Sequence, residues 1–198
     1  MKWNIPNTLT WMRIAMIPVL VLFYYLPGQL NREEVITVLF VVAALTDWLD
    51  GYLARRMNLV SPFGAFLDPV ADKLIVSTAL VILVADPAII NRTFLPVLFV
   101  LSVAVIIGRE IVISALREVM ADMGKRGQVA VDKSGKIKTA VQLISISMLL
   151  YAKPLYGLPI FKIGELLLYL AVALTLWSMW IYLSSAAKSF KEDTEVED

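Results

Sequence analysis

The sequence predicts an all-α integral membrane protein with six transmembrane helices, preceded by a short N-terminal interfacial segment. Two observations predict it. Of its 198 residues, 59% are hydrophobic and 18% charged, against about 45–50% and about 25% in soluble domains, and mean hydropathy is +0.76. The apolar residues also gather into blocks separated by turn chemistry, and a helical span needs about 20 residues at about 1.5 Å each.

Residues 1–7, with Trp3 and Pro6, read as the interfacial segment on the cytosolic face. The first span covers 9–26. Lys2 and Arg13 ahead of an apolar run also suit a signal peptide, but there is no Ala-x-Ala-like site and Pro27 sits where cleavage would fall. A retained helix is the better reading. The next spans cover 35–53, 63–85, 94–119, 133–151 and 160–187. The breaks fall at Pro27-Gly28, from Asn58 to Pro62, at Asp86-Pro87, from Gly124 to Gly135, and at Gly157-Leu158-Pro159. Together 1–187 form a single membrane-embedded catalytic domain, and 188–198, polar and acidic at its end, reads as a disordered cytosolic tail.

Lys and Arg set the orientation. Eleven of them (Lys2, Arg55, Arg56, Arg117, Lys125, Arg126, Lys133, Lys136, Lys138, Lys188 and Lys191) fall at one side, and four (Arg32, Arg92, Lys153 and Lys162) at the other. This bias places both termini in the cytosol. Arg13, Lys73 and Arg109 lie within or at the edge of apolar blocks and need another explanation. Lys73 is expected to snorkel or pair with a carboxylate and is not assigned to substrate. Aromatic residues such as Trp3, Trp177, Trp180 and Tyr182 read as belt and packing residues.

The chain has no Cys and no His. Disulfides, Cys/His zinc sites, thiol nucleophiles and Ser-His-Asp triads are therefore excluded. A net charge of +1 supplies no global field for nucleic acid. The informative anomaly is acidic. Asp47 and Asp50 close the second block, and Asp68 and Asp72 open the third. Each ionised group deep in a span costs about 2.5–3.5 kcal/mol on insertion scales. Asp47, Asp50, Gly51 and Ala54 recur at i, i+3, i+4 and i+7, and Gly64, Asp68 and Asp72 at i, i+4 and i+8, so each set forms one helical stripe. A short loop makes the two helices antiparallel neighbours whose stripes can face each other. Four facing carboxylates repel unless divalent cations lie between them, and oxygen-only ligands select Mg²⁺ or Mn²⁺. The small residues leave a slot, and Arg55 beside it can pair with a phosphate. Metals, a cation and a slot suit phosphoryl transfer about 7–15 Å below the cytosolic surface. Against this, any single aspartate could be a helix cap or a local ion pair; the combined spacing argues otherwise.

Written out, the stretch is Asp47-x2-Asp50-Gly51-x2-Ala54-Arg55-x8-Gly64-x3-Asp68-x3-Asp72. It resembles the signature of the CDP-alcohol phosphatidyltransferases at every position. Asn4-Ile5-Pro6-Asn7-x-Leu9-Thr10-x2-Arg13, Gly108-Arg109-Glu110-x5-Leu116-Arg117-Glu118 and Gly135-Lys136-Ile137-Lys138-Thr139 resemble the branch formed by bacterial phosphatidylglycerophosphate synthases. The resemblance implies six transmembrane helices, a homodimer in the bacterial cytoplasmic (inner) membrane, and a polar cavity facing the cytosol. It implies two divalent cations, with Asp47, Asp50, Asp68 and Asp72 as ligands and Asp72 also as general base. Gly51 and Ala54 would make room for the cytidine of CDP-diacylglycerol, Arg55 would hold its diphosphate, and Gly64 belongs to the same CDP-lipid-binding set. Asn7, Thr10 and Arg13 form a polar face that suits the donor-lipid entrance, with helix capping by Asn7 or Thr10 as the alternative.

The acceptor is read from cations outside the signature. Glycerol 3-phosphate carries about two negative charges and needs Arg or Lys donors. Arg109, Arg117, Lys136 and Lys138 form the candidate pocket, with Glu110 and Glu118 orienting the arginines. Lys125, Arg126 and Lys133 read as ordinary positive-inside residues. The expected reaction transfers a phosphatidyl group from CDP-diacylglycerol to glycerol 3-phosphate, releasing CMP. Inositol phosphate, serine or phosphatidylglycerol are the alternative acceptors. A divalent-cation transporter is the competing class, but the outer halves of the spans, such as 35–44 and 74–84, are almost wholly apolar.

Overall fold

In a computed structural model, residues 5–27, 31–57, 62–124 and 133–197 are described. They form α1 (Ile5–Tyr25), α2 (Arg32–Met57), α3 (Pro62–Ala85), the single-turn α4 (Pro87–Ile90), α5 (Pro96–Asp122), α6 (Lys133–Tyr151) and α7 (Ile160–Glu197). Every named element is a helix, as composition and block pattern predict. By length and composition, Thr8–Tyr25, Pro96–Asp122 and Ile160–Ala187 can cross a membrane, and Ile137–Tyr151 is a shorter apolar helix. The chain is a membrane-embedded helical bundle.

Helix ends follow local chemistry. Asp86 caps α4, its carboxylate accepting from the Ala88 backbone N–H at 2.8 Å. Pro87 and Pro96 take the first helical positions, where a missing N–H costs nothing. Between α6 and α7 the chain reverses through Tyr156 and Gly157, both at positive φ (50° and 80°), with Leu155 and Leu158 exchanging backbone hydrogen bonds. Glycine suits the second of these positions because it has no Cβ to clash.

One feature differs from expectation. The stretch 188–197 continues α7 as helix to Glu197 instead of forming a disordered tail. Extending an existing helix requires no new nucleation, and Lys and Glu propagate it well. At the front, residues 1–4 lie outside the described ones, and residues 5–7 already belong to the first turn of α1.

The core joins all the long helices. Leu20, Ile36, Phe40, Leu80, Leu83, Phe99, Ile106, Ile146, Leu149 and Leu168 are almost wholly buried. α1 packs on α2 and α3, and α7 packs on α5 and α6. The α6–α7 crossing is close because residue 164 is glycine. A Cβ there would meet Met148 Cβ at 2.9 Å, and Ser145 Oγ donates to the Gly164 carbonyl at 2.8 Å. Outward faces stay apolar, with Leu45, Val97, Ile111, Trp177 and Trp180 exposed, as suits helices whose solvent is lipid.

Candidate active site

α1 enters the bundle against α2 and α3 and brings two polar side chains, Thr10 and Arg13, to the signature acids. Both are fully buried. Thr10 Oγ1 donates to Asp68 Oδ1. Arg13 Nη1 donates to Asp72 Oδ1 and lies 2.9 Å from Asp47 Oδ1. One guanidinium nitrogen thus meets carboxylates from two helices, which fits the expectation that the α2 and α3 stripes face each other. Thr10 and Arg13, expected at a lipid entrance, contact three of the four aspartates directly. Thr10 does so as a donor to a side chain, which is not a capping contact. The reason is spacing: at i and i+3 they share the face of α1 that packs on α2 and α3.

Asp47 and Asp72 keep about two-fifths of their side-chain surface accessible. Among the described residues no three acidic side chains gather closely enough to hold a metal ion. The side chains of Asp50, Gly51, Ala54, Arg55, Gly64, Asn7 and Lys136 lie outside the described ones. The chemistry of the acids that are described nevertheless suits a hard cation. Asp47 and Asp72 supply anionic oxygens, reach one point from two helices, and already demand positive charge there.

Asp72 has a second neighbourhood. It lines a cavity of about 320 Å³ whose walls come from four helices. α3 contributes Pro69, Asp72, Lys73 and Val76; α5 contributes Arg109, Glu110, Ile113, Ser114 and Arg117. α6 adds Thr139, Gln142 and Leu143, and α7 adds Tyr182. Arg109 pairs with Glu110. Lys138, only 2% exposed, places Nζ 3.6 Å from the same carboxylate. Arg109, Arg117 and Lys138 are therefore brought together as expected, and Glu110 orients two of them. Glu118 does not: it is exposed and, among the described residues, pairs with neither arginine.

These cations have spare donors. Nε of Arg109, Nε of Arg117 and Nζ of Lys138 are buried without a hydrogen-bond partner among the described residues. A buried, unpaired N–H of a cation costs on the order of 1–3 kcal/mol or more. A bound oxyanion removes that cost for several donors at once.

Sequence reasoning missed several cavity residues. Lys73 was expected to snorkel or meet a carboxylate; it donates instead to Ser114 Oγ across the α3–α5 contact and lines the cavity. Ser114 was visible in principle, since it lies four residues after Glu110 and three before Arg117. Gln142 follows Lys138 by one turn in the same way. Tyr182, expected as a belt or packing residue, lines the cavity and carries Arg117 over its ring at 5.6 Å. Nothing in its local sequence distinguishes it from the other aromatics of α7.

Comparison with known proteins gives the family. The family model described as CDP-alcohol phosphatidyltransferase matches residues 3–177. Proteins from Escherichia coli (strain K12), Shigella flexneri and Salmonella choleraesuis (strain SC-B67) are each 44% identical over 186 residues, covering 94% of this chain and 96% of the relative. Each bears the name CDP-diacylglycerol–glycerol-3-phosphate 3-phosphatidyltransferase. With a match over nearly its whole length, and its signature acids meeting beside a cation-lined cavity, this chain belongs to the CDP-alcohol phosphatidyltransferase family.

Proposed function

We propose that the enzyme transfers the phosphatidyl group of CDP-diacylglycerol to glycerol 3-phosphate, forming phosphatidylglycerol phosphate and CMP. The observation that carries this reading is Asp72, which shares Arg13 with Asp47 and lines a cavity whose wall also holds Arg109 and Arg117. An acceptor with its phosphate on those cations would present a hydroxyl towards Asp72. The relatives named for this reaction support the same acceptor.

In the reaction, the acceptor hydroxyl oxygen forms a bond to the phosphatidyl phosphorus while the bond to the CMP oxygen breaks. Asp72 takes the hydroxyl proton, which general-base chemistry requires to be within hydrogen-bond reach. Asp47, Asp50, Asp68 and Asp72 would hold two divalent cations, Mg²⁺ or Mn²⁺, which when bound neutralise the diphosphate charge. Arg55 would hold the donor diphosphate, with Gly51 and Ala54 leaving space for cytidine and Gly64 keeping the facing side of the CDP-lipid slot open. Thr10 and Arg13 fix the carboxylates that face the donor, and Asn7 lies one turn earlier on the same helix. Arg109, Arg117, Lys136 and Lys138 bind the acceptor phosphate.

The protein acts as a homodimer with six transmembrane helices in the bacterial inner membrane. Its N-terminal interfacial segment and both termini are cytosolic, and the site opens to the cytosol. The surplus of Lys and Arg at one side of the spans supports that orientation. The deciding experiment supplies purified protein with CDP-diacylglycerol and each acceptor in turn. Turnover with glycerol 3-phosphate is expected; turnover with inositol phosphate, serine or phosphatidylglycerol in its place would overturn the assignment.

A further inference from the structure

Arg109, Arg117 and Lys138, the described cations of the proposed acceptor site, are not held alike. Arg109 and Lys138 share one carboxylate, Glu110. Arg117 makes no ion pair among the described residues, and its Nε is buried without a hydrogen bond. Its guanidinium instead lies 5.6 Å from the centroid of the Tyr182 ring. That ring is placed by the α5–α7 contact, where Tyr182, Leu116 and Met123 pack around the buried Met120 and Ala186.

A carboxylate support orients a guanidinium but also cancels its charge and repels an approaching phosphate. A ring face orients it through its quadrupole and adds no net charge. We propose that Tyr182 is the positioning residue for Arg117. Its ring holds the guanidinium at the cavity wall and leaves the full positive charge for the acceptor's phosphate. Arg109 and Lys138 divide one negative charge between them, whereas Arg117 pairs with no carboxylate among the described residues. The inference rests on the acceptor reading above, and it extends the site to α7, which contributes no other residue to the cavity wall described.

The test is steady-state kinetics on the purified full chain, varying glycerol 3-phosphate and CDP-diacylglycerol separately. Tyr182→Leu should raise KM for glycerol 3-phosphate about tenfold, a change of cation–π size, and leave KM for CDP-diacylglycerol where it was. Tyr182→Phe, which keeps the ring, should recover most of that loss. In an Arg117→Ala background, Tyr182→Leu should lower kcat/KM for glycerol 3-phosphate no further, because the tyrosine acts through the arginine. Equal changes in both KM values, a Phe variant as poor as the Leu variant, or additive losses in the double variant would each overturn the proposal. A wild type that uses a different phosphorylated alcohol removes the acceptor reading alone, and the same KM comparison with that alcohol then decides the role of Tyr182. A wild type that uses only an unphosphorylated acceptor overturns both.

Discussion

The two ends of the bundle use their charged side chains differently. At the end away from the signature acids, charges are matched with partners. Lys153 Nζ lies 3.1 Å from Glu34 and 3.4 Å from Glu33. Arg32 stacks on Tyr24 at 4.7 Å, and Tyr24 donates to Asp86. Glu165, fully buried, accepts on Oε1 from the Phe94 N–H and the Tyr169 hydroxyl, both at 2.7 Å, while Oε2, without a hydrogen bond among the described residues, faces the Lys162 ammonium at 3.7 Å. These contacts tie loops to helix ends. At the site end, Asp47 and Asp72 stay partly accessible, Arg109 and Arg117 each keep an unused Nε–H at the cavity wall, and the buried Lys138 Nζ near them has no hydrogen bond among the described residues. The comparison teaches that a satisfied charge holds the fold, whereas an unsatisfied one at a cavity is available to a ligand.

Breaking the site end should stop chemistry without melting the bundle. Chelation with EDTA should abolish transfer, and added Mg²⁺ or Mn²⁺ should restore it; transfer that persists through exhaustive chelation would remove the metals from the reading. Asp72→Asn should cost on the order of 10²–10⁴-fold in kcat, the usual scale of a lost general base. Circular dichroism should show the helices intact, and wild-type kcat in this variant would end the base assignment. Arg109→Ala should raise KM for glycerol 3-phosphate by about 10–100-fold, the scale of one charge-assisted hydrogen bond. An equal rise for CDP-diacylglycerol would place Arg109 outside the acceptor pocket.

Changes at the opposite end should show the reverse pattern. Glu165→Ala leaves the Phe94 N–H and the Tyr169 hydroxyl without their acceptor, for about 1–3 kcal/mol of stability. The thermal midpoint should fall while both KM values hold, and a selective KM change would contradict the division of labour. The smallest effect is acid sensitivity. Its own backbone N–H, ahead of the Lys153 ammonium, holds the Glu33 carboxyl below the ordinary range. A depressed carboxylate contributes stability above its unfolded pKa and loses it as pH falls through the folded value. Because the Glu33 carboxylate is a third exposed and its pairs are screened by solvent, the midpoint of the wild type should drop only slightly on acidification below about pH 4, and Glu33→Gln should remove that part of the slope.

Much of the fold was legible because lipid imposes a simple grammar. A span must be apolar for about 20 residues, so the blocks announce the helices. Pro87 and Pro96 mark starts, and Gly157 marks a reversal, for backbone reasons that hold whatever the neighbours are. The far end of α7 was not legible: charge and polarity beyond Ala187 suggested disorder, but propagation of an existing helix outweighed them. The single turn at Pro87–Ile90 was too short to leave a periodic signal.

Within the site, sequence alone determined that Asp68 and Asp72 share one face of α3, because an interval of four is about one helical turn. It also determined that buried Arg109 needs a polar surrounding, since an isolated cation in a span is costly. Only the tertiary structure decided that Arg13 joins Asp47 to Asp72, that Lys73 meets Ser114, and that Tyr182 supports Arg117. Those pairs span 34 to 65 positions of chain. Helical periodicity fixes which way a side chain faces, but not which residue of another helix lies opposite. That is set by the crossing of packed helices, as at Gly164 against Met148.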